Sequence, residues 1–338
     1  MLGIGLIGIG RHGSRYVQHL LRDLPDVALA AVCRRSKSGV FSDGTIPVYD
    51  DYRAMISDPR VHAVVVVTPP SLCYDICLAA VHARKPILIE KPLALNGSQA
   101  RTMVAAASQS GVLLMTAHTL RFDPVITRLQ EEIHTIEPLQ SACLTTHIDT
   151  QPNVMSVGDG SVKVGALLEL GIHLLDLVRF LTKENILEVQ CTMNPLPSVA
   201  PETQVEVRLR TSSGIACTLD IARVEVQRTG RAVWTGEKGT LTADWVARSL
   251  VRTAKDGRAE AWTLDVKPTV LATLQAFVPY GLQLSRRLPA SMAVSPSKRP
   301  TPVIVRRPIM APSHWLGQPT RDAHPPVIEI RPQQYLQP

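Results

Sequence analysis

The sequence predicts an α/β protein in two parts: a parallel sheet covered by helices, then an α+β domain on a mainly antiparallel sheet. Three observations carry this. From Leu2 to Ala117, apolar β-branched runs alternate with helical stretches, the pattern of consecutive βαβ units. After a long apolar helix, Val164 to Leu181, alternating strands follow one another without intervening helices, which favours antiparallel pairing with one face to cover. The 338 residues suffice for two cores, and no apolar run reaches membrane-spanning length.

The chain opens on a strand, Leu2–Ile7, and Gly8, Gly10 and Gly13 then lead in GxGxxG spacing into a helix from Arg11 onward. In that spacing the first glycine makes a tight turn, the second admits a pyrophosphate and the third lets helix pack on strand. A second frame, Gly3, Gly5 and Gly8, has no strand before it. With the next strand, Val27–Cys33, the segment makes a Rossmann dinucleotide-binding unit. Phosphate is expected at the helix N-terminus, beside Gly10, Arg11 and His12, where free N–H groups favour an anion.

Arg34, Arg35, Ser36 and Lys37 follow the second strand, where an NAD site usually carries a carboxylate for the ribose hydroxyls. Guanidinium grips phosphate bidentately. The expected cofactor is therefore NADP(H), with NAD as the other option; a solvated loop is the plainer account of the same charges.

Turn residues fill Ser38 to Tyr49, so the second crossover should be short or irregular. Asp50 or Asp51 can cap a short helix through Met55, and Val61 to Val67 reads as a buried parallel strand. Thr68-Pro69-Pro70 stops it, which sets Thr68 and Pro69 at a strand carboxyl end, beside the cofactor. A helix from Ser71 to about Ala83 leads to a strand over Pro86–Ile89 that ends in Glu90-Lys91-Pro92. Asn96 caps the following helix to Gln109, Gly111 ends it, and Val112–Ala117 is the next strand. Cys73 and Cys77 share one helix face, but two thiols without two more ligands make a poor metal site, and no metal is expected. The six cysteines are scattered through segments that read as core, as in a cytoplasmic protein with reduced thiols.

Pro124–Ile136 reads as a linking helix and Leu139–Ile148 as a strand with one wet face; a loop around Gly158 and Gly160 precedes the helix at 164–181. Strands are expected near Ile186–Met193, Thr203–Arg210, Ala216–Val224, Arg231–Thr235, Gly239–Asp244 and Ala261–Val266. On the apolar helix, Glu169, His173 and Asp176 are four and three residues apart and so can share a face. Lys91 stands where a strand end delivers a side chain toward a nicotinamide, and burial there lowers a lysine pKa.

In order and separation, Gly8-Ile-Gly-Arg-His-Gly13, Thr68-Pro-Pro70, Glu90-Lys-Pro92 and Glu169-Leu-Gly-Ile-His173-Leu-Leu-Asp176 resemble the glucose-fructose oxidoreductase, inositol dehydrogenase and rhizopine-catabolism (Gfo/Idh/MocA) family, from Leu2 to about Phe277. The resemblance implies an N-terminal Rossmann domain, a C-terminal domain whose open sheet often forms an oligomer interface (dimer or tetramer), and NAD(P)-dependent redox chemistry on sugars or cyclitols. It makes Lys91 the motif lysine near substrate and nicotinamide, and His173 the acid/base. Glu169 falls where the family more often has Asp, and Cys73 where a histidine is common. His118, Arg121 and Phe122 resemble the segment lining the cleft, so His118, Arg121 and Asp176 are expected on the substrate side. A non-catalytic cofactor sensor or regulator on the same fold is the alternative.

The domain boundaries expected are 1–121, 122–278 and an atypical tail, 279–338. A helix starts at Val270 and loses its pattern after Phe277; twelve prolines then fall in the last sixty residues, a composition that favours extended or disordered chain. The tail carries +6 of the net charge of +7. The body is nearly neutral, so neither a nucleic-acid nor a membrane partner is expected.

Overall fold

The structure is a computed structural model that describes residues 1–35, 41, 44–148, 156–157, 162–195, 201–223, 227–287 and 328–330. Ser36, Lys37 and the loop glycines Gly158 and Gly160 lie outside the described residues.

The first sheet holds β1 (Leu2–Ile7), β2 (Val27–Cys33), β3 (Val48–Tyr49), β4 (Ala63–Val66), β5 (Ile87–Glu90) and β6 (Leu114–Ala117). All pair in parallel, in the order β3-β2-β1-β4-β5-β6. That order reverses direction between β1 and β4, the crevice in which such sheets bind ligands. On one face lie α2 (Tyr52–Ser57), α3 (Pro70–His82) and α4 (Gly97–Gln109), whose Met55, Ile76, Cys77 and Met103 pack with Ile7, Val64, Val66, Ile87 and Ile89. Asp51 caps α2 by accepting from the Arg53 N–H, and Asn96 caps α4 by accepting from Gln99. The opposite face receives α1 (Gly13–Arg22), with Tyr16 and Leu20 buried.

The second part begins with α5 (Pro124–Glu132) and a 3₁₀ turn, Ile133–Ile136. There follow β7 (Leu139–Ile148), a small hairpin of β8 (Ser156–Val157) and β9 (Val162–Lys163), a π-turn at Leu167–Gly171, and α6 (Ile172–Thr182). Seven strands come next: β10 (Ile186–Asn194), β11 (Gln204–Thr211), β12 (Ala216–Arg223), β13 (Thr229–Gly236), β14 (Gly239–Asp244), β15 (Ser249–Ala254) and β16 (Ala259–Thr263). Last are α7 (Thr269–Arg287) and β17 (Ile328–Ile330). The sheet order is β16-β15-β14-β13-β7-β12-β11-β10-β17.

Val125, Ile126 and Leu129 of α5 and Leu174, Leu177 and Val178 of α6 cover one face of this sheet, meeting Leu144, Val207, Leu219 and Trp234. The other face is polar: along β11, Val205, Val207 and Leu209 are buried while Gln204, Glu206, Arg208 and Arg210 are exposed.

The second sheet is mainly antiparallel, as expected, with one parallel pair, β7 with β12, reached by the crossover through α6. Several expectations are corrected. Ser249–Ala254 is a strand that the sequence did not announce. The helix expected as one element over Val164–Leu181 is split into a π-turn and α6. The helix expected to stop at Phe277 runs on to Arg287, and it packs on the first sheet: Val270, Leu274, Phe277 and Val278 join the core of Leu2, Ile4, Leu6 and Leu88. The physical reason is vacancy. Among the described residues no helix connects β2 to β3, so α1 alone would leave that face partly bare, and a sheet buried on both sides needs another cover. Finally, Ile328–Ile330 of the tail pairs antiparallel with β10 at the sheet edge.

Candidate active site

The turn after β1 is shaped by close approaches. Gly8 has φ +93°, and a Cβ there would lie 2.4 Å from the Val67 carbonyl oxygen; one on Gly13 would lie 2.1 Å from the Gly8 carbonyl oxygen. Neither position admits a side chain, so α1 starts in contact with the strand. Gly10 by contrast faces open space, and Gly10, Arg11 and His12 are accessible. The first turn of α1 has neither a side-chain cap nor an acidic residue. The Ser14 and Arg15 N–H groups donate to the Gly10 and His12 carbonyls at 3.0 and 3.1 Å, and the accessible, uncapped helix start with its dipole suits the pyrophosphate of a dinucleotide. Arg34 and Arg35 stand at the end of β2, where the Arg34 N–H donates to the Tyr49 carbonyl at 2.9 Å. Thr68 and Pro69 form the corner after β4; beneath them the buried Cys73 Sγ lies 3.7 Å from Thr68 Oγ1 and donates to the Pro69 carbonyl at 3.7 Å. Burial pushes the Cys73 thiol up to about 11. Among the described residues no group of three His, Cys, Asp or Glu side chains could hold a metal ion.

Glu90 turns inward toward the glycine turn. Its carboxylate accepts from Tyr16 Oη at 2.5 Å, His12 Nε2 at 2.7 Å and the Lys91 N–H at 3.1 Å. Burial pushes this carboxyl up, but His12, Tyr16 and Lys91 outweigh it and hold it below the usual carboxylate range. Glu90 thereby ties the phosphate-facing loop to the residue next to it, Lys91.

Lys91 crosses to the second part of the molecule, where Nζ donates to the Glu169 carbonyl oxygen at 3.0 Å. Burial lowers its pKa; Glu90 and Glu169 oppose that shift and Arg223 adds to it. Glu169 lies in the π-turn, and its carboxylate is held by Arg223, with Nη1–Oε2 at 2.5 Å and Nη2–Oε1 at 3.0 Å. The sequence spacing suggests that Glu169 meets His173. Instead the carboxylate is engaged by a strand-end arginine, and burial raises its pKa against the pull of Arg223 and Lys91.

His173, the second residue of α6, is partly exposed as a whole, but its Nδ1 is buried and has no hydrogen-bond partner among the described residues. Burial first, then Lys91 and His118, push its pKa down to about 3, so the imidazole is neutral. The His118 ring stands edge-on at 6.4 Å between centroids. His118 is also kept neutral by burial, although Asp176 pulls the other way with Oδ2 3.6 Å from Nδ1. Arg121 clasps Asp176 through Nε–Oδ2 at 2.7 Å and Nη2–Oδ1 at 2.5 Å. Lys91, Glu169, His173, His118, Asp176 and Arg121 thus form one connected cluster. It adjoins the carboxyl ends of β5 and β6, and Glu90 links it to the glycine turn. Tyr16 and Arg223 take part without having been singled out in the sequence, because one reads as an apolar helix residue and the other as the end of an ordinary alternating strand.

Comparison with known proteins bears on the fold and the family. A family model described as an oxidoreductase family with NAD-binding Rossmann fold matches residues 2–118, and that of the GFO/IDH/MocA C-terminal domain matches residues 147–242. The uncharacterized oxidoreductase YrbE of Bacillus subtilis is 27% identical over 255 residues, covering 71% of this chain and 73% of YrbE. The myo-inositol 2-dehydrogenase of Thermotoga maritima is 27% identical over 260 residues, covering 73% of this chain and 77% of that enzyme. Among solved structures, the aldose-aldose oxidoreductase of Caulobacter crescentus superposes with a TM-score of 0.72 at 22% identity, over 83% of this chain and 90% of that one; at that identity it speaks to the fold alone. Two family models spanning more than half of the chain, the glycine turn at a parallel-sheet switch point and the second open sheet agree: the chain belongs to the Gfo/Idh/MocA family of NAD-binding oxidoreductases.

Proposed function

We propose that this protein moves a hydride between a nicotinamide cofactor, preferentially NADP(H), and a carbinol or carbonyl carbon of a sugar, cyclitol or related polyol. The observation that carries the reading is the contact of Lys91 Nζ with the Glu169 carbonyl, four residues before a neutral His173 whose Nδ1 is buried. The nicotinamide supplies the hydride acceptor or donor. In oxidation the neutral His173 takes the hydroxyl proton, and in reduction it returns one to the carbonyl oxygen. Lys91 donates a hydrogen bond to the same oxygen and stabilises its developing charge, in a site dry enough for that bond to count. Glu169 acts through its carbonyl, which orients Lys91, while Arg223 fixes its carboxylate. His118, Arg121 and Asp176 line the substrate side.

The choice of NADP(H) rests on Arg34 and Arg35, which directly follow β2 where an NAD site usually carries a carboxylate for the ribose hydroxyls. The substrate class follows from relatives named for inositol and from the polar, hydrogen-bonding cluster itself. A dimer or tetramer in the cytoplasm, with a second copy on the wet face of the second sheet, belongs to the same reading.

The test is a panel of polyols, aldoses and keto-sugars with NADPH, NADP, NADH and NAD, followed by nicotinamide absorbance and fluorescence. Turnover with a preference for NADPH or NADP is expected. Cofactor binding without turnover would make the protein a sensor, and a clear preference for NADH would remove the role given to Arg34 and Arg35.

A further inference from the structure

The π-turn that carries Glu169 is held at its start by a residue from a different strand connection. Glu202 is only 8% exposed. Its carbonyl oxygen accepts from the Ala166 N–H at 2.9 Å and its Oε1 accepts from the Leu167 N–H at 3.1 Å. Two consecutive amides that an isolated helix start would leave unpaired are thus taken by one residue thirty-five positions along the chain. The carboxylate fits because residue 165 is glycine: a Cβ there would sit 2.0 Å from Oε2 and 2.3 Å from Oε1.

The neighbouring residue completes the arrangement. The Thr203 carbonyl accepts from the Arg223 N–H at 2.7 Å, and Arg223 is the cation that clasps Glu169. Residues 202 and 203 therefore hold both groups that fix Glu169: the turn on which it rides and the strand end from which its partner projects. Among the described residues no hydrogen bond joins Glu202 or Thr203 to Lys91 or His173.

We infer that Glu202, accommodated by Gly165, is a positioning residue for the proposed hydride-transfer site: it sets the π-turn whose Glu169 carbonyl aims Lys91 and whose end leads directly into His173. The inference rests on the reaction proposed above for Lys91 and His173. A purely structural glutamate would affect stability alone; a positioning one affects turnover through geometry, and displacement of a reacting group by about 1 Å costs on the order of 100-fold.

The experiment compares full-chain Glu202→Ala, Glu202→Gln and Gly165→Ala with the parent protein. Three quantities are read: NADPH affinity by fluorescence, kcat and KM, and the ring nitrogen NMR signals of His173 in the NADPH-bound protein, assigned with His173→Gln. Glu202→Ala and Gly165→Ala should lower kcat about 100-fold, with KM and NADPH affinity within about twofold of the parent. Glu202→Gln, which keeps an oxygen for the Leu167 N–H, should recover most of the rate. The His173 signals should move in the first two variants and return in the third. If Glu202→Ala does not fold, the contrast between Glu202→Gln and Gly165→Ala decides. Unmoved His173 signals in Gly165→Ala, or a Glu202→Gln as slow as Gly165→Ala, would overturn the inference. A parent protein that turns over no substrate would refute the reaction instead, and the NMR comparison would still decide the role of Glu202.

Discussion

Arg223 and Glu169 are both nearly buried, with side-chain exposures of 8% and 13%. Removing one partner of such a pair leaves the other charge without compensation, which costs about 3–5 kcal/mol. Arg223→Ala and Glu169→Gln should therefore each destabilise the protein by up to that order in urea titration, the first stranding a carboxylate and the second a guanidinium. A second residue-scale expectation concerns pH. His173 is folded neutral with its pKa depressed from 6.5 to about 3, and His118 is shifted the same way. The unfolded chain takes up these protons first, so their contribution to stability is intact above pH 6.5 and declines as pH falls toward 3. Denaturation midpoints measured from pH 8 to pH 4 should show this slope, and His173→Gln should flatten it. Lys91, His173 and the glycines were legible in the sequence because a motif carried each of them. Arg223 and Glu202 were not: each makes its decisive bond across a sequence separation that periodicity does not register, and the i,i+4 relation of Glu169 to His173 suggested a partner that the carboxylate does not use.

At the scale of elements, the glycine turn and α7 make opposite kinds of demand. The turn needs backbone without side chains. Gly8→Ala would set a methyl 2.4 Å from the Val67 carbonyl at a φ of +93°, so it should abolish cofactor binding and lower the melting temperature, as titration and calorimetry can read. The helix α7 needs side chains, since Leu274 and Phe277 are fully buried on the first sheet. Phe277→Ala should cost about 3–5 kcal/mol; a loss near zero would mean that the helix is not part of that core. The first sheet was readable almost strand by strand, with β1 and β2 at the expected limits, because buried parallel strands are continuous apolar runs. The destination of α7 was not, since its amphipathic pattern says that it packs and not on what. Nor was β15, whose Ser249–Ala254 contains two polar residues, one arginine and little alternation.

In the whole molecule, one side of the cluster belongs to a nucleotide-binding sheet and the other to a helix resting on the second sheet. The bond from Lys91 Nζ to the Glu169 carbonyl joins them. The fold accounts for this convergence of residues distant in sequence: β5 ends at the crevice beside β1 and β4, and the π-turn leads α6 out of the second sheet toward the same place. The proposed preference for NADP(H) also belongs at this scale, because it depends on which side chains the first sheet delivers to the end of β2. Arg34→Ala should bring NADPH and NADH affinities to within a few-fold of each other, against a parent preference of about tenfold or more, as expected of a guanidinium–phosphate pair worth about 1.5–3 kcal/mol.

The account depends most on Lys91 and His173 acting on one oxygen. The direct measurement is the rate of nicotinamide oxidation or reduction in a single turnover by Lys91→Met and His173→Ala, each first shown to bind NADPH as the parent does. Both should lose about 10²–10⁴-fold in that rate, and the double variant should lose much less than the product of the two, as groups acting together do. Variants that bind cofactor normally and turn over at the parent rate would contradict it.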